Sequence, residues 1–369
     1  MGSIRRLVTV LGSGVLILGT LTLSVASTTS VTAASAATMF KACVVTDTGG
    51  INDKSFNESA WDGLKAAAAE DSNISVQYLS STSSADYAPN ISSFISKGCG
   101  IIITVGFLMD AATAAAANAH PSQKFAIVDD APTVKAGTHV LALQYETDQA
   151  GFLGGILAAG MTKTGTVAEY GGENFPAVTL YMNGYVAGVR YFDKTYKKSV
   201  KVLGWTPGKG ACSLAACKGT GTFIGNFTDQ TAGKTDTTTF FSEGADIVFP
   251  VAGSVGLGSV AAAQAAGAGH YVMWVDSNGC ESDAADCKYF VGTVAKGVEP
   301  SVEAAVLSAA KGTFKAGSYI GTLSNDGTQL EYGGVKIPSS LKAEIATAKA
   351  GIIAGTISVN PNNYPATPK

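Results

Sequence analysis

The chain has 369 residues, 46% of them hydrophobic and 14% charged, with a formal net charge of −3 at pH 7. Mild acidity without a basic cluster excludes nucleic acid as a partner, and the length suits two domains with full cores. The 3 histidines are scattered and the 6 cysteines lack C-x-x-C spacing, which excludes a zinc site; no metal or cofactor is expected.

The first predicted element is a leader. Arg5 and Arg6 precede an apolar run over 7–25 and a small-residue stretch with the exit Ala34-Ser35-Ala36. A cationic start, an apolar segment and an A-x-A-like exit define a secretory signal peptide over 1–36. The run is about long enough to cross a bilayer as an uncleaved anchor, but its Gly, Ser and Thr content favours cleavage. No other segment is long and apolar enough to span a membrane. Export favours disulfides among the cysteines. Proximity pairs Cys212 with Cys217 and Cys280 with Cys287, which leaves Cys43 for Cys99.

After the leader, short apolar runs alternate with Ala-rich helical stretches. The pattern predicts a strand over 41–46, a helix over 56–70, a strand over 74–79, a helix over 87–97 and a strand over 101–105. A helix over 110–119 and a strand over 125–128 complete a first series. The alternation then restarts with helix 149–161, strand 165–170, helix 181–196 and strand 200–203. Helix 231–243, strand 247–250, helix 257–266 and strand 271–275 follow. Strands separated by helices of this length make βαβ units and parallel sheets. Two doubly wound α/β lobes facing one another are expected, and ligands of such sheets sit outside the carboxyl ends of the strands.

The first such strand end reads DTGGINDKSFN over 47–57. Gly49 and Gly50 let the backbone turn tightly and approach a ligand. Ser55 and Glu58 have the spacing of a capping box for the helix that follows. Asn52 carries an amide able to donate to and accept from a heterocycle edge, and Phe56 can stack on a flat ring. On spacing alone the segment also fits a capped turn with Phe56 in the core. It lacks G-x-G-x-x-G, and the chain has no G-x-x-x-x-G-K-[ST] loop, G-x-S-x-G elbow or H-E-x-x-H pair. No catalytic residue is assigned.

The stretch VVTDTGGINDKSFNESAWDGL (44–64) resembles the signature of the basic membrane protein (BMP) family of ABC-transporter substrate-binding proteins, which includes purine nucleoside receptors. The likeness continues through ITVGFLMDAA (103–112), KFAIVDD (124–130) and DQAGFLGGILAAGMTKTG (148–165). GNFTDQTAGK (225–234), GADIVFPVAGSVGLG (244–258) and WVDSNG (274–279) extend it over nearly the whole chain beyond the leader. The resemblance implies a type I periplasmic-binding-protein fold: two Rossmann-like lobes, three crossovers forming a hinge, and a central cleft. The lobes then comprise 38–148 with 297–322, and 149–296 with 323–369. It also implies a monomeric, exported receptor, extracellular or periplasmic and associated with the cell surface. Such a receptor passes a nucleoside to an ABC permease and its ATPase.

In nucleoside-binding members the base lies between two rings, matched here by Phe56 and Phe227, and the asparagine of the N-D-K-S motif, Asn52, reads its edge. The carboxylate matching Asp276 binds ribose hydroxyls, supported by Lys296. The turn Gly253-Ser254-Val255-Gly256 brings backbone amides to the ligand, and Asp47, Asp110 and Asp129 line the same cleft. Three departures stand out. Cys43 follows Met39-Phe40-Lys41-Ala42, which is no lipobox. The segment 171–179 lacks an arginine that several members carry, and the D-x-D turn reads Asp276-Ser277-Asn278. The nucleoside therefore stays open. A sensor module of the same fold, or a receptor for another flat heterocycle such as a flavin, is the alternative.

Overall fold

The computed structural model describes residues 39–210 and 212–365. The leader expected over 1–36 lies outside them, as do residues 366–369. The chain runs through β1 (Phe40–Val45), α1 (Phe56–Glu70), β2 (Ile74–Leu79), α2 (Tyr87–Ser96), β3 (Ile101–Val105), α3 (Asp110–Ala119), β4 (Lys124–Val128) and β5 (His139–Tyr145). It continues with α4 (Thr147–Met161), β6 (Thr166–Gly171), α5 (Pro176–Tyr196), β7 (Lys201–Leu203), β8 (Trp205–Pro207), β9 (Gly219–Gly221) and α6 (Gln230–Ser242). Then come β10 (Ile247–Val251), α7 (Gly256–Ala266), β11 (Tyr271–Asp276), α8 (Gly279–Ser282) and β12 (Phe290–Lys296). The last are α9 (Val298–Ala310), β13 (Gly317–Gly321), β14 (Thr328–Tyr332) and α10 (Ser339–Ile353).

The strands form two 6-stranded sheets, ordered β13-β5-β4-β3-β1-β2 and β14-β12-β11-β10-β6-β7, plus the ribbon β8-β9. The first sheet is parallel throughout, whereas β14 joins the otherwise parallel second sheet antiparallel to β12. Each sheet has helices on both faces, so strands such as β3 (IIITV) are buried along their whole length. Ala60 and Leu64 of α1 pack with Val302 and Val306 of α9 on one face of the first sheet; Ile91, Phe94 and Phe125 fill the other. Phe152, Tyr185, Phe249 and Met273 centre the core of the second lobe. Its helices α4 and α5 cross closely because glycines face backbone. A Cβ on Gly151 would stand 2.6 Å from the Tyr181 carbonyl oxygen.

The chain passes between the sheets three times: from β5 through α4, from β12 into α9, and from β13 to β14. These segments hydrogen-bond to one another, Glu146 N to Gly321 O at 2.8 Å and Gly297 N to Gly327 O at 2.9 Å. A Cβ on Gly321 would meet the Gly327 carbonyl oxygen at 2.8 Å, so only glycine lets the crossings pack backbone to backbone. The result is a two-lobed α/β molecule of the type I periplasmic-binding fold.

Some elements differ from the sequence reading. Helix α5 starts at Pro176 and not at 181, because proline is favourable in the first turn. The half-exposed strands β13 and β14 carry no strong apolar run, and pairing at the crossings creates them. The Ser55–Glu58 capping box does not form. Asp53 instead accepts the amides of Ser55, Asn57 and Glu58 at 2.8–3.1 Å, while Glu58 takes the Lys54 amide at 2.9 Å. Cysteines pair as 43–99, 212–217 and 280–287, as proximity predicts. No helix among the described residues is long and apolar enough to cross a membrane.

Candidate ligand-binding site

Loops leaving the carboxyl ends of strands in both sheets meet at a cavity between the lobes. Four of these exits turn through positive φ: Gly106 (105°) after β3, Asp129 (69°) after β4, Gly253 (54°) after β10 and Asp276 (65°) closing β11. Aspartate tolerates this left-handed region better than most side chains, and the two carboxylates thereby converge on Lys296 at the end of β12. The ammonium lies 2.6 Å from Asp129 Oδ2 and 3.4 Å from Asp276 Oδ1. It also faces the rings of Phe56 at 4.8 Å and Tyr181 at 5.1 Å, a cation–π arrangement. The Tyr181 hydroxyl donates to Asp276 Oδ1 at 2.9 Å, and the Ser55 hydroxyl lies 3.1 Å from Asp276 Oδ2. Asp47 Oδ1 accepts from Gly49 N and Asn57 Nδ2, both at 2.8 Å.

A second part of the wall is aromatic. Phe107 of the first lobe stacks on Phe175 of the second, with ring centroids 4.9 Å apart and planes inclined by 27°. Phe227 follows Phe175 at 6.3 Å. Charge on the wall is unbalanced, since Asp47, Asp53, Asp129 and Asp276 face one lysine. Burial pushes Asp47 up to about 6, against the hydrogen bonds it accepts. Asp53, buried under α1, is pushed up to about 7 in the same way. Burial also opposes the charge on Lys296, but Asp129 and Asp276 overcome it and hold the group above its ordinary value. Such a wall offers acceptors to hydroxyl and N–H donors and flat surfaces to a ring; it repels a phosphate.

Of the residues singled out from sequence, Asp47, Phe56, Asp129, Phe227, Gly253, Asp276 and Lys296 line this cavity. Asn52 does not: it is exposed, and the amide on the wall is that of Asn57, five positions on. Asp110 also lies off the wall, at the start of α3, where its carboxyl pairs with Asp130. Ser254 is buried behind the wall, its hydroxyl donating to Phe227 O at 2.8 Å and so steadying that loop. The sequence reading missed Asp53, Asn57, Phe107, Phe175 and Tyr181. Asn57 and Phe107 lie inside the motifs quoted above. Phe175 sits just before the true start of α5, and Tyr181 falls in its second turn, so the late start assigned to that helix hid both.

Two α/β lobes joined by three crossings, with a cleft at the strand ends, place the molecule in the type I periplasmic-binding fold class. The family model Bmp, described as ABC transporter substrate-binding protein PnrA-like, matches residues 40–216 and 221–354, and the chain belongs to that family. It is 29% identical over 338 residues to the ABC transporter nucleoside-binding protein BmpA of Lactococcus lactis, covering 87% of this chain and 89% of the relative. To the CD4+ T-cell-stimulating antigen of Listeria monocytogenes it is 27% identical over 336 residues, or 87% and 88% of the two chains. Among solved structures it shares its fold with an ABC transporter solute-binding protein from Aeropyrum pernix K1, at a TM-score of 0.73 and 22% identity. That match covers 86% of this chain and 92% of the other.

Proposed function

We propose that this substrate-binding protein is exported, binds a purine nucleoside in the interlobe cleft, and delivers it to an ABC permease and its ATPase. One observation carries the reading: the cavity wall divides into an aromatic part and a hydrogen-bonding part, which suits a flat base joined to a sugar. In this reading the base stacks between Phe56 and Phe227, with Asp47 and Asn57 at its edge. Asp276, with Asp129 and Lys296, takes the ribose hydroxyls. The excess of carboxylates disfavours nucleotides, whose phosphates they would repel. The cavity holds about 60 Å³, room for a few waters, and the Phe107–Phe175 stack spans it. A nucleoside therefore enters an open form, and the lobes hinge shut on it.

Isothermal titration with guanosine, inosine, adenosine, their 5′-monophosphates and riboflavin tests this. The nucleosides bind and the monophosphates bind more weakly. Binding of riboflavin alone, or of none of the nucleosides, would overturn the nucleoside reading and leave the receptor fold.

A further inference from the structure

The loop that leads into α1 reaches across to the second lobe beside the ligand cavity. Lys54 Nζ bonds Asp283 Oδ1 at 2.6 Å. The Lys54 carbonyl accepts from the Ser277 hydroxyl at 2.8 Å, and the Ser55 hydroxyl lies 3.0 Å from the Val275 carbonyl oxygen. Lys54, Ser277 and Asp283 are absent from the cavity wall, so their bonds join lobe to lobe without touching a ligand there.

Both halves are shaped in advance. Lys54 holds φ at 54°, a conformation uncommon for a side chain of this kind, and its amide is fixed by Glu58 at 2.9 Å. Asp283 sits in the short segment bracketed by the Cys280–Cys287 disulfide, its amide bonded to Gly279 O at 2.9 Å. It is only 6% exposed with the lobes together. Without Lys54 that carboxylate would be desolvated and unpaired in the closed form, and free to hydrate in an open one.

The surroundings are acidic, and Lys296 also lines them. Glu58 and Asp62 of α1 and Glu299 of α9 share a groove with Glu281, Asp326 and Glu331 of the second lobe. Glu299 is pushed above its ordinary value by burial and then by Asp62, Glu303 and Glu281. Closing the lobes thus brings like charges together, and the Lys54–Asp283 pair offsets that repulsion.

We infer that Lys54, Ser55, Ser277 and Asp283 form a clasp that stabilises the closed form, with the Cys280–Cys287 disulfide positioning Asp283 to receive Lys54. The inference rests on the proposed hinge closure and not on which ligand is bound. Single-molecule energy transfer between dyes on unnatural residues at Tyr78 and Tyr196, exposed on the first and second lobes, reads the open-to-closed ratio with and without guanosine. Lys54→Glu and Asp283→Lys each raise that ratio about tenfold, as expected for a partly buried charged hydrogen bond. The double reversal restores it to within about twofold, a coupling that loss of structure would not produce. Cys280→Ser/Cys287→Ser shifts it in the same direction as the single reversals. Lys311→Met, whose pair with Glu70 lies within the first lobe, leaves it unchanged. Single reversals without effect, or a double reversal no better than the singles, would overturn the clasp. So would a wild type that never populates the short distance. Guanosine, inosine and adenosine all failing to bind while the reversals still open the ligand-free protein supports the clasp and overturns the nucleoside reading alone.

Discussion

Asp276 leaves β11 at positive φ with one oxygen taken by Tyr181 and the other beside Ser55. The carboxylate is thus oriented before any ligand arrives; Tyr181 and Lys296 share Oδ1, and Oδ2 keeps a lone pair for a ribose hydroxyl. Calorimetry should therefore find 2′-deoxyguanosine weaker than guanosine by ~1–3 kcal/mol, the cost of leaving a buried acceptor unpaired. Equal affinities would remove Asp276 from the sugar site. Phe56→Ala and Phe227→Ala should each weaken guanosine by ~1–3 kcal/mol, the range for a lost base–aromatic stack. If melting temperature collapses in either variant while affinity holds, that ring is core. A residue away from the site adds to the pH dependence of stability. Glu169 on β6 is fully buried, no hydrogen-bond partner among the described residues reaches either oxygen, and burial raises its carboxyl well above the ordinary glutamate range. The folded chain holds it protonated, whereas the unfolded chain ionises it above about pH 4.5. Its contribution is complete below that pH and is lost as pH rises toward the folded value. Glu169→Gln should accordingly raise the melting temperature more at pH 8 than at pH 4.5. An equal gain at both would contradict this.

At the scale of elements, the second lobe depends on the close crossing of α4 and α5. A side chain on Gly184 would run into the backbone of Asp148. Gly184→Ala should cost ~1–3 kcal/mol of unfolding free energy through overpacking, read by urea denaturation. The first lobe is stapled differently: Cys43 in β1 bonds Cys99 beyond α2, 56 residues along the chain. A loop of that length constrains the unfolded chain by ~4 kcal/mol. Cys43→Ala/Cys99→Ala should lose a comparable amount, and an unchanged urea midpoint would show that the cross-link does not stabilise the fold.

For the whole molecule, the proposed contacts come from both lobes, Phe56 and Asp129 from one and Phe227 and Asp276 from the other. A ligand that bridges them favours the closed form by the difference between its affinities for the two forms. Small-angle scattering should show a smaller radius of gyration with saturating guanosine than without it. No compaction on saturation would mean that binding does not use the hinge.

The alternation of apolar runs with Ala-rich stretches was enough to specify two parallel α/β lobes, because a strand buried on both faces must be apolar at every position and its crossover helix must follow. The strand-end rule pointed to Phe56, while Asp47, Asp129, Phe227, Gly253, Asp276 and Lys296 came from the resemblance to the BMP family, and all of them line the cavity. Local pattern failed where pairing at a distance decides structure. β13 and β14 are half-exposed and exist because the crossings lay them against β5 and β12. Within N-D-K-S-F-N the sequence shows two asparagines and cannot tell which faces the cleft. Asp53, by capping α1, turns Asn57 inward and leaves Asn52 in solvent. Phe107 against Phe175, and Lys54 against Asp283, are contacts between residues far apart in the chain. Only the meeting of the two lobes brings them within reach.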